Sequence, residues 1–371
     1  MRRAATNTTD PLPEKGARVT TGPETTDVAQ PGALMATEIN EQPAVLQRIL
    51  DESARDVTEV AAAIRRADPR FVLLVARGTS DHAALYAKYL IETTLHLPAG
   101  LVSTSTYTAY QESPRLDGVL WIAVSQSGGS PDLAESTSRA RGAGALTLAV
   151  TNVPGSPLNE TCELSLDMRA GAERSVAATK TYTASLLTLF LLVEAWRDVG
   201  LDAGQQVPQL ASRALDLPQV AEVASRYRFV DKLVTTSRGY AYPTAREGAL
   251  KLMETCYLAA HAFSGADLLH GPLAMVDEDR PVVVVLPEGR GGDALQPVVE
   301  RLVERGADLC VVGPVSAKGA TLHIPLPGGM DERVAPIVQI LPFQQLARAM
   351  AVSRGYDPDH PRGLSKVTRT L

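Results

Sequence analysis

Two tandem α/β domains, each built on a mostly parallel, doubly wound sheet flanked by helices, are predicted by three observations. Short continuous apolar runs, the pattern of strands buried on both faces, alternate with helical patterns. Two of these strands run into polar, Gly-containing turns that open helices, the strand–turn–helix rhythm of a parallel sheet. The chain has 371 residues, room for about two to three domains of roughly 150 residues each.

The first 34 residues are dominated by Thr, Pro, Glu, Gly and Ala and contain no aromatic residue. Such a stretch buries too little apolar surface to offset its ordering entropy, so 1–34 is expected to be a disordered tail. Helix-like patterning begins at Met35, which makes Met35 a candidate translation start. Phe71–Ala76 reads as the first buried strand, followed by the turn Arg77-Gly78-Thr79-Ser80-Asp81 and a helix over His82–Glu92. Val119–Val124 is the second strand, with the turn Ser125-Gln126-Ser127-Gly128-Gly129-Ser130 and a helix from Pro131. Leu146–Val150 is the third. Gly, Gln and Pro then interrupt the pattern, which places a first domain at 35–203, a linker at 204–217 and a second domain at 218–360. In the second domain Arg238-Gly239 precedes a helix over about Thr244–Ala260, and Pro281–Pro287 and Ala307–Val312 read as strands. Residues 361–371 form a C-terminal segment. A faint repeat links the halves: Arg77-Gly78 with Tyr89-Leu90-Ile91-Glu92-Thr93 echoes Arg238-Gly239 with Lys251-Leu252-Met253-Glu254-Thr255.

Composition excludes several classes. Hydrophobic residues make up 45% and charged residues 21%, ordinary for a globular chain. With 36 Lys and Arg against 42 Asp and Glu the net charge is −6, which argues against a nucleic-acid binder but not against a small anionic substrate. Three scattered cysteines, Cys162, Cys256 and Cys310, give neither a disulfide framework nor a zinc site. No apolar run is long enough to span a bilayer, and Met1-Arg2-Arg3 is followed by polar residues rather than a signal core. The expectation is a cytoplasmic protein with no membrane partner.

Ser125–Ser130 supplies three hydroxyls, an amide and two glycines at a helix start. Glycine admits close approach of the backbone, and the helix N-terminus offers free N–H donors to an anion. Hydroxyl-rich turns of this kind suit the monoester phosphate of a small sugar, and Thr79 and Ser80 add hydroxyls from the first turn. Ser and Gly also cap helices. Two such turns at the carboxyl ends of parallel strands favour a ligand site. Neither G-x-G-x-x-G nor a Walker-type loop is present.

Ser125-Gln126-Ser127-Gly128 resembles the phosphate loop of the sugar isomerase (SIS) domain, and the resemblance spans Met35 to Leu371. Arg77-Gly78-Thr79-Ser80, Val176-Ala177-Ala178-Thr179-Lys180, Glu247–Glu254 and His270-Gly271-Pro272-Leu273 extend it. Together they are similar to the isomerase half of the glucosamine-6-phosphate synthases, with two SIS domains of flavodoxin-like winding. The ending Gly363–Leu371 looks closer to stand-alone SIS-type glucosamine-6-phosphate deaminases. One departure is the glutaminase nucleophile: residue 2 is Arg2 and residue 36 is Ala36, so no ammonia release from glutamine is expected by that route. Ser130 stands where the synthases carry Thr, which keeps the hydroxyl.

Glu247, Lys251 and Glu254 are spaced i, i+4, i+7 and share one face of a mostly apolar helix. An exposed Glu–Lys pair contributes only about 0.2–0.5 kcal/mol; the apolar flanks argue for enclosure instead. The resemblance implies that Glu254 moves a proton between C1 and C2 of an open-chain sugar, with Lys251 steadying the developing enediolate oxygen. It makes His270 the ring-opening group, contributed across a homodimer interface. It makes Lys366, otherwise an ordinary solvated terminal lysine, part of a tail that closes over the sugar and carries a Schiff-base-forming amine. Gly78, Glu173, Val176 and Ala178 match segments lining the sugar site; Lys180 matches too but is equally suited to bracing its loop. His82, His96, His261, His323 and His360 lack comparable context and read as structural or surface residues.

The leading expectation is conversion of glucosamine 6-phosphate to fructose 6-phosphate plus ammonia, with no metal or redox cofactor. The alternatives are β-elimination from N-acetylglucosamine 6-phosphate, as in the SIS etherases, deglycation of fructosyl-amine phosphates, and a non-catalytic sugar-phosphate sensor. The tail expectation has its own check: intact mass of the native protein should correspond to a start at Met35, and an intact Met1 terminus would overturn it.

Overall fold

Strand order is what positions the site. A computed structural model describes residues 30–366; residues 1–29 of the expected tail and 367–371 of the C-terminal segment lie outside the described residues. The first sheet contains β1 (Phe71–Val75), β2 (Ala99–Leu101), β3 (Val119–Ser125), β4 (Leu146–Thr151) and β5 (Leu164–Asp167), in the order β2-β1-β3-β4-β5. The second contains β6 (Lys232–Ser237), β7 (Ala259–Ser264), β8 (Pro281–Val285), β9 (Asp308–Gly313) and β10 (Leu322–Pro325), in the order β10-β9-β8-β6-β7. Every pairing is parallel. Counted from the other edge, the second sheet has the same winding as the first. This is the flavodoxin-like order, and the faint sequence repeat is a repeat of fold. In such sheets the crevice lies where the winding reverses, between β1 and β3 and between β6 and β8.

Central strands are apolar on both faces, as the runs predict: β8 is buried at every position, and β3 at all but Val119. Edge strands β2, β5, β7 and β10 give no continuous apolar run, because one side of each is open. The helix expected to reach Ala260 ends at Cys256, and the chain turns back as β7. Tyr257 is the C-cap, at φ 58°, a left-handed conformation without the glycine that usually signals it. The expected His82 start lies three residues late: the helix spans Thr79–Leu90, so the hydroxyl turn is its first turn.

The segment 204–217, expected as a linker, contains the helix Val207–Ala214, with Pro208 in its first turn and Val207, Leu210, Ala211 and Ala214 buried. The helix Lys180–Trp196 is buried at all 17 positions. Its neighbours come from both halves, and one continuous apolar core runs through the two sheets. Among the described residues no helix is long and apolar enough to cross a membrane.

The described chain is clasped at its two ends. The backbone N–H groups of Gly32, Leu34 and Met35 donate to Asp357 and Asp359 at 2.8–3.0 Å, across 324–325 residues. Ordered structure thus begins before Met35, with a helix at Ala33–Asn40. From the clasp the chain runs on past Tyr257, whose hydroxyl accepts from the Arg362 N–H (2.9 Å) and whose ring lies 3.9 Å from the Arg362 guanidinium.

The helix Tyr242–Cys256 packs on the helix Leu341–Ser353 through Gly248, where a Cβ would overlap the ring of fully buried Phe343. Gly248→Ala should therefore destabilise. Overpacking costs about 1–3 kcal/mol, more than the roughly 1 kcal/mol that Ala gains over Gly in a helix. A lower Tm by calorimetry is expected; an unchanged Tm would show that Phe343 yields.

Candidate active site

At the first winding reversal the turns after β1 and β3 face each other across a cavity of about 330 Å³. Gly78, Thr79 and Ser80 line it from one turn and Ser125, Gln126, Ser127 and Ser130 from the other. Val176 and Ala178 close one side, and Leu364, Ser365 and Lys366 cross it from the C-terminal segment. Glu254 enters from the second half of the chain.

The Ser125–Ser130 turn has specific requirements. Gly128 sits at φ +60°, and a Cβ there would overlap the side chain of Ser156. Gly128 N–H donates to Ser125 Oγ (3.1 Å) and Gly129 N–H donates to Ser127 Oγ (3.2 Å). Each hydroxyl oxygen therefore spends a lone pair on the loop and keeps its own proton to donate. Ser130 is the N-cap of the helix Pro131–Gly142 but makes no side-chain cap bond. Its hydroxyl and the helix's first N–H groups face the same end, a natural anion cradle. Arg77 ties the two turns together, with Nε 2.8 Å from the buried Asp132 carboxylate and a second bond to the Thr104 hydroxyl.

Across the cavity stands the helix Tyr242–Cys256. Glu247 and Lys251 are fully buried, while the Glu254 side chain retains 22% exposure toward the cavity. Lys251 Nζ lies 2.5 Å from Glu254 Oε2, 3.2 Å from Glu247 Oε1 and 3.1 Å from Thr79 Oγ1. The Thr79 hydroxyl donates to Glu247 Oε1 at 3.0 Å, and His82 Nδ1 lies 2.7 Å from Glu247 Oε2. Burial pushes the Glu247 carboxyl up, but Lys251, His82 and Thr79 outweigh it and hold it below its ordinary range. Burial likewise opposes the Lys251 charge, and the two flanking carboxylates outweigh it, holding the ammonium above its ordinary range. The helix therefore presents a fixed cation beside a partly open carboxylate.

Lys366 Nζ donates to Glu173 Oε2 and to the Ser175 carbonyl, both at 2.7 Å. Glu173 is buried and also accepts from the Thr179 and Thr181 N–H groups and the Thr181 hydroxyl. It does not line the cavity; it holds the lysine that does. Lys180 points away and pairs with Glu41, the bracing position.

His270 is not among the residues lining the cavity. It is exposed, following the short helix Gly265–Leu269 beyond edge strand β7. The imidazole nearest the Glu247–Glu254 array is His82, read from sequence as structural. Its link to Glu247 spans 165 residues, and nothing in the local pattern announces it. Among the described residues no group of three His, Cys, Asp or Glu side chains is placed to hold a metal ion. The cysteines are free, and burial pushes the Cys162 thiol up to about 12.

The second winding reversal borders a larger cavity of about 470 Å³, lined by Tyr89, Arg238, Tyr240 and Arg290 among others. There the anion position is already filled. The Glu332 carboxylate accepts from the Arg290 N–H (3.0 Å) and the Gly291 N–H (2.7 Å) at the start of the helix Arg290–Glu304. At the first reversal the cradle is left open and faces the Glu254 carboxylate of the other half.

A family model described as SIS domain matches residues 66–195 and 228–353. A glutamine–fructose-6-phosphate aminotransferase (isomerizing) of Methanothermobacter thermautotrophicus is 37% identical over 351 residues, 92% of this chain and 58% of that protein. The chain thus spans about three-fifths of the length of such curated relatives. A Silicibacter pomeroyi structure provisionally named a phosphosugar isomerase is 36% identical with a TM-score of 0.79, covering 88% of this chain and 99% of that one. The C-terminal domain of the Francisella tularensis glucosamine-fructose-6-phosphate aminotransferase is 27% identical with a TM-score of 0.78, covering 91% of this chain and all of that one. The two matched segments coincide with the two sheets and their flanking helices, and the chain belongs to the SIS domain family, with two copies of the domain.

Proposed function

We propose that the chain is an enzyme of the sugar-phosphate isomerase class, acting on an amino-sugar 6-phosphate and converting glucosamine 6-phosphate and water to fructose 6-phosphate and ammonia. One observation carries this reading: a hydroxyl-lined anion cradle faces the Glu254 carboxylate across one cavity that the Lys366 segment crosses. The names of relatives agree with the class of substrate. The Methanothermobacter thermautotrophicus relative is named for fructose 6-phosphate and isomerisation, and a Thermotoga maritima structure sharing the fold at 19% identity is named a glucosamine-6-phosphate deaminase.

In this reading the 6-phosphate takes the Ser125, Ser127 and Ser130 hydroxyls and the N–H groups at the start of the helix Pro131–Gly142. Ring opening frees the C1 aldehyde by moving a proton between O1 and O5. His270 of a second copy of the chain performs it in a homodimer; the exposed position of His270, outside the cavity of its own chain, supports that assignment. Glu254 takes the C2 proton, and the electron pair flows toward C1 and O1, where the neighbouring Lys251 ammonium steadies the charge. The protonated Glu254, able to exchange its proton with solvent, delivers a proton to C1 while one proton passes from the nitrogen to O1, which leaves an imine at C2. Water adds there and ammonia departs. Lys366 lines the cavity while ion-paired to Glu173; amine chemistry by Lys366 requires it to leave that carboxylate.

NMR of the purified protein with glucosamine 6-phosphate in D₂O tests the reading. C2 deuterium exchange, fructose 6-phosphate and ammonia are expected. A dehydrated product from the N-acetyl sugar without ammonia would replace it with elimination chemistry, and binding of both sugars without exchange would replace it with a sensor. Glu254→Gln should lower turnover by about 10²–10⁴-fold, the usual contribution of a positioned base, with binding retained; unchanged turnover would remove Glu254 as the base. Ser127→Ala should weaken binding of the phosphorylated sugar by roughly 1.5–3 kcal/mol, measured by titration calorimetry. Equal affinity for phosphorylated and unphosphorylated sugar would overturn the cradle assignment.

A further inference from the structure

We propose that His82 is a positioning residue for the proton-transfer base, acting on Glu254 through Glu247 and Lys251; the inference rests on the reading of Glu254 as that base. Lys251 has three N–H bonds, and three oxygens surround it: Thr79 Oγ1, Glu247 Oε1 and Glu254 Oε2. A buried ammonium has its place fixed by the oxygens and opposite charges around it. Of the three, Glu247 lies outside the cavity and is held there by His82, which also lies outside it. Thr79 is in turn hydrogen-bonded to Glu247. The whole array therefore depends on where the Glu247 carboxylate stands.

Glu247 Oε1 is held by Thr79 and Lys251, whereas the partner of Oε2 is His82, at 2.7 Å. The geometry requires a proton on Nδ1, because a carboxylate only accepts. His82 is 7% exposed and belongs to the helix Thr79–Leu90 of the first half, whereas Glu247, Lys251 and Glu254 belong to the second. It pins the helix that carries the base to the helix whose first turn forms part of the cavity wall. Its far side borders a surface pocket shared with Asp81, Arg246 and His261, of which Arg246 and Asp81 pair at 3.8 Å. Without the Nδ1 donor, a fully buried carboxylate loses the partner of one oxygen. It then either rotates toward the Lys251 ammonium or takes up a proton. Both outcomes change the direction and strength of the Lys251 contact with Glu254.

A histidine that merely filled the core would act through stability alone. Two substitutions separate the roles. His82→Leu keeps the bulk and removes the donor, whereas His82→Asn places an amide N–H where Nδ1 stands. With glucosamine 6-phosphate as substrate, His82→Leu should lower kcat by about 10²-fold, the cost of misplacing a catalytic group by roughly 1 Å, with KM little changed. His82→Asn should restore most of kcat. A wild-type kcat in His82→Leu, an effect on KM alone, or equal losses in the two variants would overturn the proposal. A second measurement does not depend on turnover. Nitrogen-15 NMR of the ring in the full-length protein should place a proton on Nδ1, and Glu247→Gln should shift that resonance. A ring protonated on Nε2 alone would overturn the proposal. A wild-type chain that exchanges no C2 proton would fail the amino-sugar reading instead, and the ring spectrum would still decide whether His82 holds Glu247.

Discussion

A buried lysine is the constraint around which this structure is arranged. Burying an ammonium is costly unless carboxylates and hydrogen bonds surround it, and removing one partner of such a pair typically costs about 3–5 kcal/mol. Lys251 meets the requirement with Glu247 and Glu254 from its own helix and Thr79 from the other half. Glu247, also buried, must then be satisfied in its turn, and His82 and Thr79 provide for that. The demand for paired charge thus draws the two halves together at one point. That point is where the first sheet reverses its winding and leaves the crevice of the cavity.

What was legible in the sequence follows from the range of the interactions. The central strands were legible because burial on both faces leaves a continuous apolar run, and the two hydroxyl turns because their chemistry is local. The Glu247, Lys251 and Glu254 face was legible from helical spacing. The edge strands were not: β7 reads Ala-Ala-His-Ala-Phe-Ser, with neither a continuous run nor a clean alternation, and Tyr257 ends the preceding helix without a glycine. The helix at Val207–Ala214 was obscured by Gly and Pro nearby, although its buried positions follow the i, i+3, i+4, i+7 pattern and Pro208 suits a first turn. His82 and the Glu173–Lys366 pair join residues 165 and 193 apart, and only the tertiary fold brings them together.

The duplication of the fold was only faintly visible as a repeat, and the structure shows how the two copies differ. Both wind alike and both offer a helix start at the reversal point. In the first, that start and its hydroxyls face a cavity. In the second, Gly289 and Gly291 leave room for the Glu332 carboxylate, which an added Cβ at either glycine would overlap. The chain thus satisfies one helix dipole with its own anion and leaves the other to its surroundings. Two copies of one architecture give one open cradle, and the second copy contributes the helix that faces it.

The clasp between residues 32–35 and the carboxylates of Asp357 and Asp359 bears on how the protein is made. A chain leaves the ribosome from its N-terminus, and its domains generally fold in that order. Here the helix Ala33–Asn40 finds these partners only once the chain has emerged past Asp359, and Lys366 follows the clasp by seven residues. The sheets have all their strands well before then. The lysine-bearing segment is the last described part to arrive, so a chain that stops short of it has both sheets complete and the cavity without Lys366.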